Sequence, residues 1–363
     1  MSKDLRILYV DDDIENFNDL KDLLFGRTVN GYRITIDSEL DFEQAVARSM
    51  NYHLIILDLF KGNAMAGGTD KGSNVFSDIH SFVFVPIIFY SANPASVVHL
   101  RSQVVGVANK LDDVSSLLSE IERLTKHNLP LLKEEVHTFI ENEFKKYFWD
   151  TIHQKKAMFP PESDDFSLGY MLLRNLADTL SRDNIRQILG DDSIKENKVH
   201  PMEFYIYPTD PTKEFQTGEI LRHKENNDEY VVLTPSCDFI KRADNKRKVD
   251  YVLLLKTILL TDTEEYKKYK HAQNRENTDK LKKLIDSGKS DRYFFLPGTP
   301  FIENRVIDFQ NKEVITYEQL VENFERIAKL DSPYAQSMAA TYSRYYNRIG
   351  FPDIDHEYIM SKL

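Results

Sequence analysis

Hydrophobic and polar positions follow two different patterns along this chain. Up to about residue 127, short unbroken apolar runs are separated by stretches with apolar residues at helical spacing. The runs are 5–10 (LRILYV), 32–37 (YRITID), 54–58 (LIILD), 83–90 (VFVPIIFY) and 104–108 (VVGVA). Between them, Phe17, Leu20, Leu23 and Leu24 place an apolar face on a helix over 14–25, and 40–50 reads as a second helix. Val114, Leu117, Leu118, Ile121 and Leu124 place a face on a closing helix over 114–124. Strands that are apolar throughout are buried on both sides. The pattern therefore predicts an α/β domain with a doubly wound, five-stranded parallel sheet.

The helical spacing then lengthens. Asn128-Leu129-Pro130 breaks the pattern, and 131–158 reads as a helix carrying Val136, Ile140, Phe144, Phe148 and Ile152. Phe159-Pro160-Pro161 stops it; 166–189 reads as a second amphipathic helix, ended by Gly190. From Pro201 the pattern turns to strands at 202–208, 217–223, 229–235, 249–258, 292–297 and 303–309, interrupted by a charged helical segment at 264–287. Two helices, 317–330 and 334–349, close the chain. The expected organisation is a first domain over 1–128, a helical linker or docking region over 129–195, and a β-rich, barrel-like α+β domain over 196–363.

A length of 363 residues suits about two domains, and 41 % hydrophobic residues is enough for real cores. The net charge of −11 argues against a dedicated duplex-DNA binder. The lone Cys237 forms no intrachain disulfide and suits a reducing, cytoplasmic setting. No run of about 18 apolar residues, long enough for a membrane span, occurs. The first residues lack an apolar leader, while Ser361-Lys362-Leu363 matches a peroxisomal address, a three-residue coincidence against the rest of the reading.

The first domain carries the chemistry. In open parallel sheets, ligands gather at the carboxyl ends of strands. Asp11 and Asp12 follow the first strand, Asp58 ends the third, Ser91 follows the fourth and Lys110 the fifth. Asp13 reads as a helix N-cap. Three carboxylates suit Mg²⁺, a hard cation that takes oxygen ligands and keeps several waters. The carbonyl of Phe60, two residues past Asp58, is a further ligand candidate. Asp58 is a nucleophile that accepts a phosphoryl group as an acyl phosphate, with Lys110 and the metal neutralising the transferring oxygens. Ser91 bonds a phosphate oxygen.

This set (Asp11-Asp12, Asp58, Ser91 followed by Ala92, and Lys110) resembles the receiver domain of two-component response regulators, over about residues 4–127. The resemblance implies Mg²⁺-dependent phosphotransfer to Asp58 from a histidine kinase or phosphotransfer protein, and self-dephosphorylation. Three positions depart from the family's pattern. Leu111 stands where Pro usually follows the Lys, Val107 stands where an aromatic switch residue is usual, and a Gly-rich insert occupies 62–74. A structural copy of the domain without phosphotransfer stays open.

The second half names no chemistry as clearly. Cys237, in 233–239 (LTPSCDF), is either a nucleophile with His200 or His223 as base, or a buried or turn cysteine, and Asp238 reads as a cap rather than a ligand. The cluster Lys241, Arg242, Lys246, Arg247 and Lys248 is either a nucleic-acid contact or a solvated loop. A receiver joined to a β-rich module is similar to proteins of bacterial antiphage two-component systems that act as phosphate sinks. The expected function is a response-regulator-like phosphate sink or gate, with a kinase, a paired regulator or a second copy as partners. The alternative is a phosphorylation-gated enzyme or nucleic-acid effector.

Overall fold

The computed structural model describes residues 3–61, 69, 70, 76, 84–126, 129–159, 165–189, 198–286, 292–348 and 353–363. The chain divides into two compact units, 1–193 and 194–363.

The first unit holds a mostly parallel six-stranded sheet. In chain order its elements are β1 (Lys3–Val10), α1 (Ile14–Leu24), β2 (Thr28–Val29), β3 (Tyr32–Glu39), α2 (Phe42–Arg48) and β4 (Leu54–Leu57). The two-residue strands β5 (Phe60–Lys61) and β6 (Thr69–Asp70) pair separately, and β7 (Ile87–Ser91), β8 (Val105–Asn109) and α3 (Val114–Thr125) follow. The sheet order is β2-β3-β1-β4-β7-β8, with only β2 antiparallel to its neighbour. Leaving β2 aside, the parallel strands run second-first-third-fourth-fifth, the doubly wound order expected from the sequence. β1 has neighbours running off in both directions, which places the topological switch point between β1 and β4.

Period-2 side-chain alternation explains the two-faced core. Leu5, Ile7 and Tyr9 of β1 pack with Leu20 and Leu24 of α1 and with Leu117, Ile121 and Leu124 of α3. Leu8 and Val10 face the other way, onto Phe42 and Ala45 of α2 and Phe89 of β7. Fully burying such a side chain contributes about 1.5–3 kcal/mol. Asp13 does cap α1, its side chain accepting from Glu15 N–H. The apolar run 83–90 becomes a strand only at Ile87. Pro86 has no N–H to give a ladder, and its carbonyl accepts from Ile55 N–H.

Helices α4 (Leu129–Lys146), α5 (Asp165–Thr179) and α6 (Arg182–Leu189) complete the unit. A π-helical turn, Tyr147–His153, prolongs α4. The single helix expected over 166–189 is two. Asn184 Nδ2 takes the carbonyl of Thr179 at the end of α5, and Ile185 N–H bonds Ser181 O as the new helix starts. The stops expected at Pro160-Pro161 and Gly190 lie outside the described residues, as does most of the 62–74 insert.

The second unit is built on a seven-stranded antiparallel sheet. Its elements are β9 (Tyr205–Ile206), β10 (Glu219–His223), β11 (Glu229–Val232), the short α7 (Ser236–Phe239), β12 (Tyr251–Leu259), α8 (Glu264–His271) and α9 (Arg275–Ile285). There follow β13 (Tyr293–Leu296), β14 (Arg305–Thr316), α10 (Tyr317–Asn323), β15 (Phe324–Leu330), α11 (Tyr334–Asn347) and α12 (His356–Met360). The sheet order is β13-β14-β12-β11-β10-β15-β9.

Two sequence expectations are corrected here. The charged segment 264–287 is two helices, because Asn274 caps α9 through a bond from Asn277 N–H. The helix expected over 317–330 stops at Asn323, and Phe324–Leu330 is strand β15, paired to β10 and β9. Glu325, Arg326, Ala328 and Lys329 are good helix formers. Ladder bonds on both sides override that preference, together with burial of Phe324 in one core cluster and of Ile327, Ala328 and Leu330 in another.

Candidate functional site

The carboxyl ends of β1, β4, β7 and β8 bring together the residues singled out from the sequence. Lys110, just past β8, extends its ammonium between two carboxylates, 2.5 Å from Asp11 Oδ2 and 3.1 Å from Asp58 Oδ2. Parallel pairing of neighbouring strands brings these three residues together although 99 positions separate Asp11 from Lys110. Ser91 ends β7, is 1 % exposed, and its hydroxyl acts to lower the Asp58 carboxyl. Its carbonyl accepts from Lys110 N–H at 3.1 Å, fixing where the lysine leaves the sheet. Asp58 itself is held by its N–H on Val10 O (2.9 Å) and by Leu59 N–H on its Oδ1 (2.8 Å).

Electrostatics mark Asp58. Burial pushes its carboxyl above the ordinary carboxylate range. Of its charged neighbours, Lys110 pulls it back and Asp11 pushes it further up. Asp11 is already engaged. Its Oδ1 accepts from Asp13 N–H (2.9 Å), and its Oδ2 accepts from Tyr9 O–H as well as Lys110. Asn16 Nδ2 reaches the same carboxylate at 3.2 Å. Asp12 is half-buried beside it.

Three contributors escape a sequence reading. Tyr9 and Tyr90 flank the Lys110 ammonium, with ring centroids 5.8 and 5.9 Å away. Both aromatic faces attract a cation. Asn16, five positions past Asp11, is the third. Tyr9 was legible in principle, since it lies two residues before Asp11 and so shares its face of the strand. Leu111 also gains a reason. Its N–H donates to Asn109 Oδ1 at 2.9 Å, a bond that proline in that place lacks the hydrogen to make. Val107 is half-buried on β8 and packs against the core on the α2 side. Asn93 is exposed and its side chain caps nothing.

For a divalent cation, the test is the donor set. Among the described residues, no three His, Cys, Asp or Glu side chains already form a cage. Mg²⁺ does not need one, because it keeps several waters and takes one or two carboxylates. Asp11 and Asp58 share the Lys110 ammonium, and Asp58 is raised first by its burial, with Asp11 adding to the rise. A hard oxygen set of buried and half-buried carboxylates fits Mg²⁺. Phe60 begins the two-residue strand β5, with its backbone paired to Asp70.

The singled-out residues of the second unit do not assemble a comparable centre. Cys237 is exposed, with Sγ 3.7 Å from Asp238 Oδ1. His200 is spent accepting from Met202 N–H, and His223 lies edge-on to Phe324. Asp238 does not cap with its side chain; its carbonyl accepts from Lys248 and Val249 N–H. In the basic cluster, Arg247 is spent on Glu214 and stacks over Tyr317, while Lys241 and Arg242 are exposed. A cavity of roughly 420 Å³ is lined by Leu233, Pro235 and Ser236 on one side and by Lys329, Ala335 and Ala339 on another.

No family model and no curated protein matches the chain. Solved structures do show similarity over about a third of it. A two-component transcriptional regulator AraC from Clostridium phytofermentans ISDg is 18 % identical, covering 37 % of this chain and 98 % of its own, at a TM-score of 0.28. A CheY-like response regulator receiver domain protein from Methanospirillum hungatei JF-1 is 19 % identical over 37 % of this chain and 99 % of its own, at 0.26. A response regulator receiver protein from Sinorhizobium medicae WSM419 is 16 % identical over 33 % and 94 %, also at 0.26.

Proposed function

We propose that this protein is a response-regulator-like phosphoryl acceptor and that Asp58 is the residue modified. The observation that carries the reading is Lys110, whose one ammonium is shared by Asp11 and Asp58 at the switch point of a doubly wound sheet, beside the buried Ser91. An Asp58 oxygen attacks the phosphorus of a phosphohistidine on a kinase or phosphotransfer protein. The P–N bond breaks, and the departing imidazole takes up a proton. The product is an acyl phosphate on Asp58, which water later cleaves to carboxylate and inorganic phosphate.

Burial raises the Asp58 carboxyl, so the nucleophile has to be ionised against its surroundings. Asp11, Asp12, Asp58 and the Phe60 carbonyl would hold Mg²⁺, which supplies positive charge to the carboxylate and the phosphoryl oxygens. Lys110 then exchanges its bond to Asp58 Oδ2 for one to a phosphoryl oxygen. Ser91, buried at the end of β7, donates its hydroxyl to another. The second unit receives the signal, or the domain works as a sink that drains phosphoryl groups from a paired regulator in an antiphage circuit.

The test is incubation with acetyl phosphate and Mg²⁺, read by intact mass. One phosphoryl group is expected on the wild-type chain and none on Asp58→Asn. An unmodified wild-type chain would sink the reading. An adduct that decays within minutes supports the sink, and one that persists supports a gated output.

A further inference from the structure

The helical part of the first unit leaves a regular apolar stripe uncovered. On α5, Phe166, Tyr170, Leu173 and Ala177 recur at spacings of four and three, and Leu180 continues the series just past the helix, its N–H still bonded to Leu176 O. All five are exposed: Phe166 by 77 %, Tyr170 and Leu173 by 62 % each, and Leu180 by 40 %. The opposite row of α5, Leu168, Leu172, Leu176 and Thr179, is half-buried, and α5 packs with α4. The helix therefore has one row for its own unit and a second row that the described residues of that unit leave exposed. A spacing that averages 3.5 residues keeps a seam facing a single neighbouring helix, the pattern that knobs-into-holes packing requires.

We infer that this stripe is the seam of a homodimer, in which α5 of one copy packs along α5 of a second copy. Two observations are consistent with a second copy as the occupant. No charged residue interrupts the row, so pairing it with itself buries no like charges. The area also suffices. At about 200 Å² for each large side chain, the exposed stripe offers on the order of 500 Å² per copy, or about 1,000 Å² per pair, which is the lower bound of a specific interface. Leu173 is the midpoint of the series from Phe166 to Leu180. In-register pairing about a two-fold therefore sets Leu173 against its own counterpart, whether the helices run parallel or antiparallel.

The inference is independent of phosphoryl transfer, and its test needs no phosphoryl donor. Sedimentation velocity of the full chain over about a hundredfold range of concentration should show a monomer–dimer equilibrium. Leu173→Glu and Tyr170→Glu should each weaken association by about 100-fold, with the circular dichroism of the wild type retained, since both side chains are exposed. In a Cys237→Ser background, Leu173→Cys should form a disulfide-linked dimer under mild oxidation. A chain that stays monomeric throughout overturns the inference, whether the stripe is then covered by residues 194–363 or by another protein. So does a dimer that survives Leu173→Glu, or the absence of the Leu173→Cys cross-link.

Discussion

Buried carboxylates occur in both units, but among the described residues only those at the strand ends of the first sheet share a single cation. In the second unit Glu219 is 1 % exposed and receives two bonds from Arg326, one of them Nε to Oε2 at 2.7 Å. Glu229, 5 % exposed, lies 2.8 Å from Arg222 and 3.2 Å from Arg305. Each is met by at least one guanidinium, as is Glu120 of the first unit, bonded by Arg101 and Arg123. In the first unit Asp11 and Asp58 share one ammonium, with Asp12 beside them. Buried carboxylates met by guanidinium groups join the strands of the antiparallel sheet. Two buried carboxylates that share one ammonium at strand ends mark the candidate site of the first unit.

The largest effect that would test this contrast is in the second unit. Arg326→Ala strands Glu219 in the sheet interior and should destabilise that unit by about 3–5 kcal/mol. The double change Glu219→Leu with Arg326→Met should recover most of the loss, because no buried charge is left. Denaturant unfolding followed by hydrogen exchange of β10 and β15 amides reads both. An Arg326→Ala chain as stable as the wild type would mean that the pair is not structural.

Asp58→Asn should act in the opposite direction. The folded carboxyl titrates above its unfolded value of about 3.9. Asp58 therefore favours folding only below that pH, and the contribution is lost as pH rises through the raised folded value. At neutral pH without divalent cation, removing the charge should stabilise the first unit on the order of 1 kcal/mol, and the gain should vanish on acidification. Exchange rates of β1 and β4 amides report it. A loss of stability at neutral pH would show that Lys110 fully compensates Asp58 and would erase the contrast.

The smallest effect is expected at the far end of β4. His53 Nδ1 accepts from Arg6 N–H at 3.1 Å, which leaves the neutral ring with its proton on Nε2, 3.3 Å from Glu134 Oε2 on α4. Burial holds the imidazole below its usual range, and Glu134 opposes that shift. Glu134→Ala should move the His53 titration further down, as followed by NMR. It should loosen α4 by only about 0.5–1 kcal/mol, because this carboxylate is half exposed.

The first sheet was legible in the sequence because strands buried on both faces leave unbroken apolar runs, and those runs end on the residues that matter. The second was legible only as β-rich. β15 is written in helix-forming residues, and nothing local in 324–330 announces the two neighbours that make it a strand. The same limit hid Tyr90 and Asn16, which join the site through geometry rather than motif.

By itself, the sequence determined the identities at the strand ends, Asp11, Asp12, Asp58, Ser91 and Lys110, and the period that spaces them, because these are properties of one residue and its near neighbours. Only the tertiary structure decided how the charge is shared. Which carboxylates compete for the Lys110 ammonium, and which are met by guanidinium groups, depends on strand pairing across about a hundred residues. Coulomb energies follow distance in space and the depth of burial, and neither is written in the order of the chain.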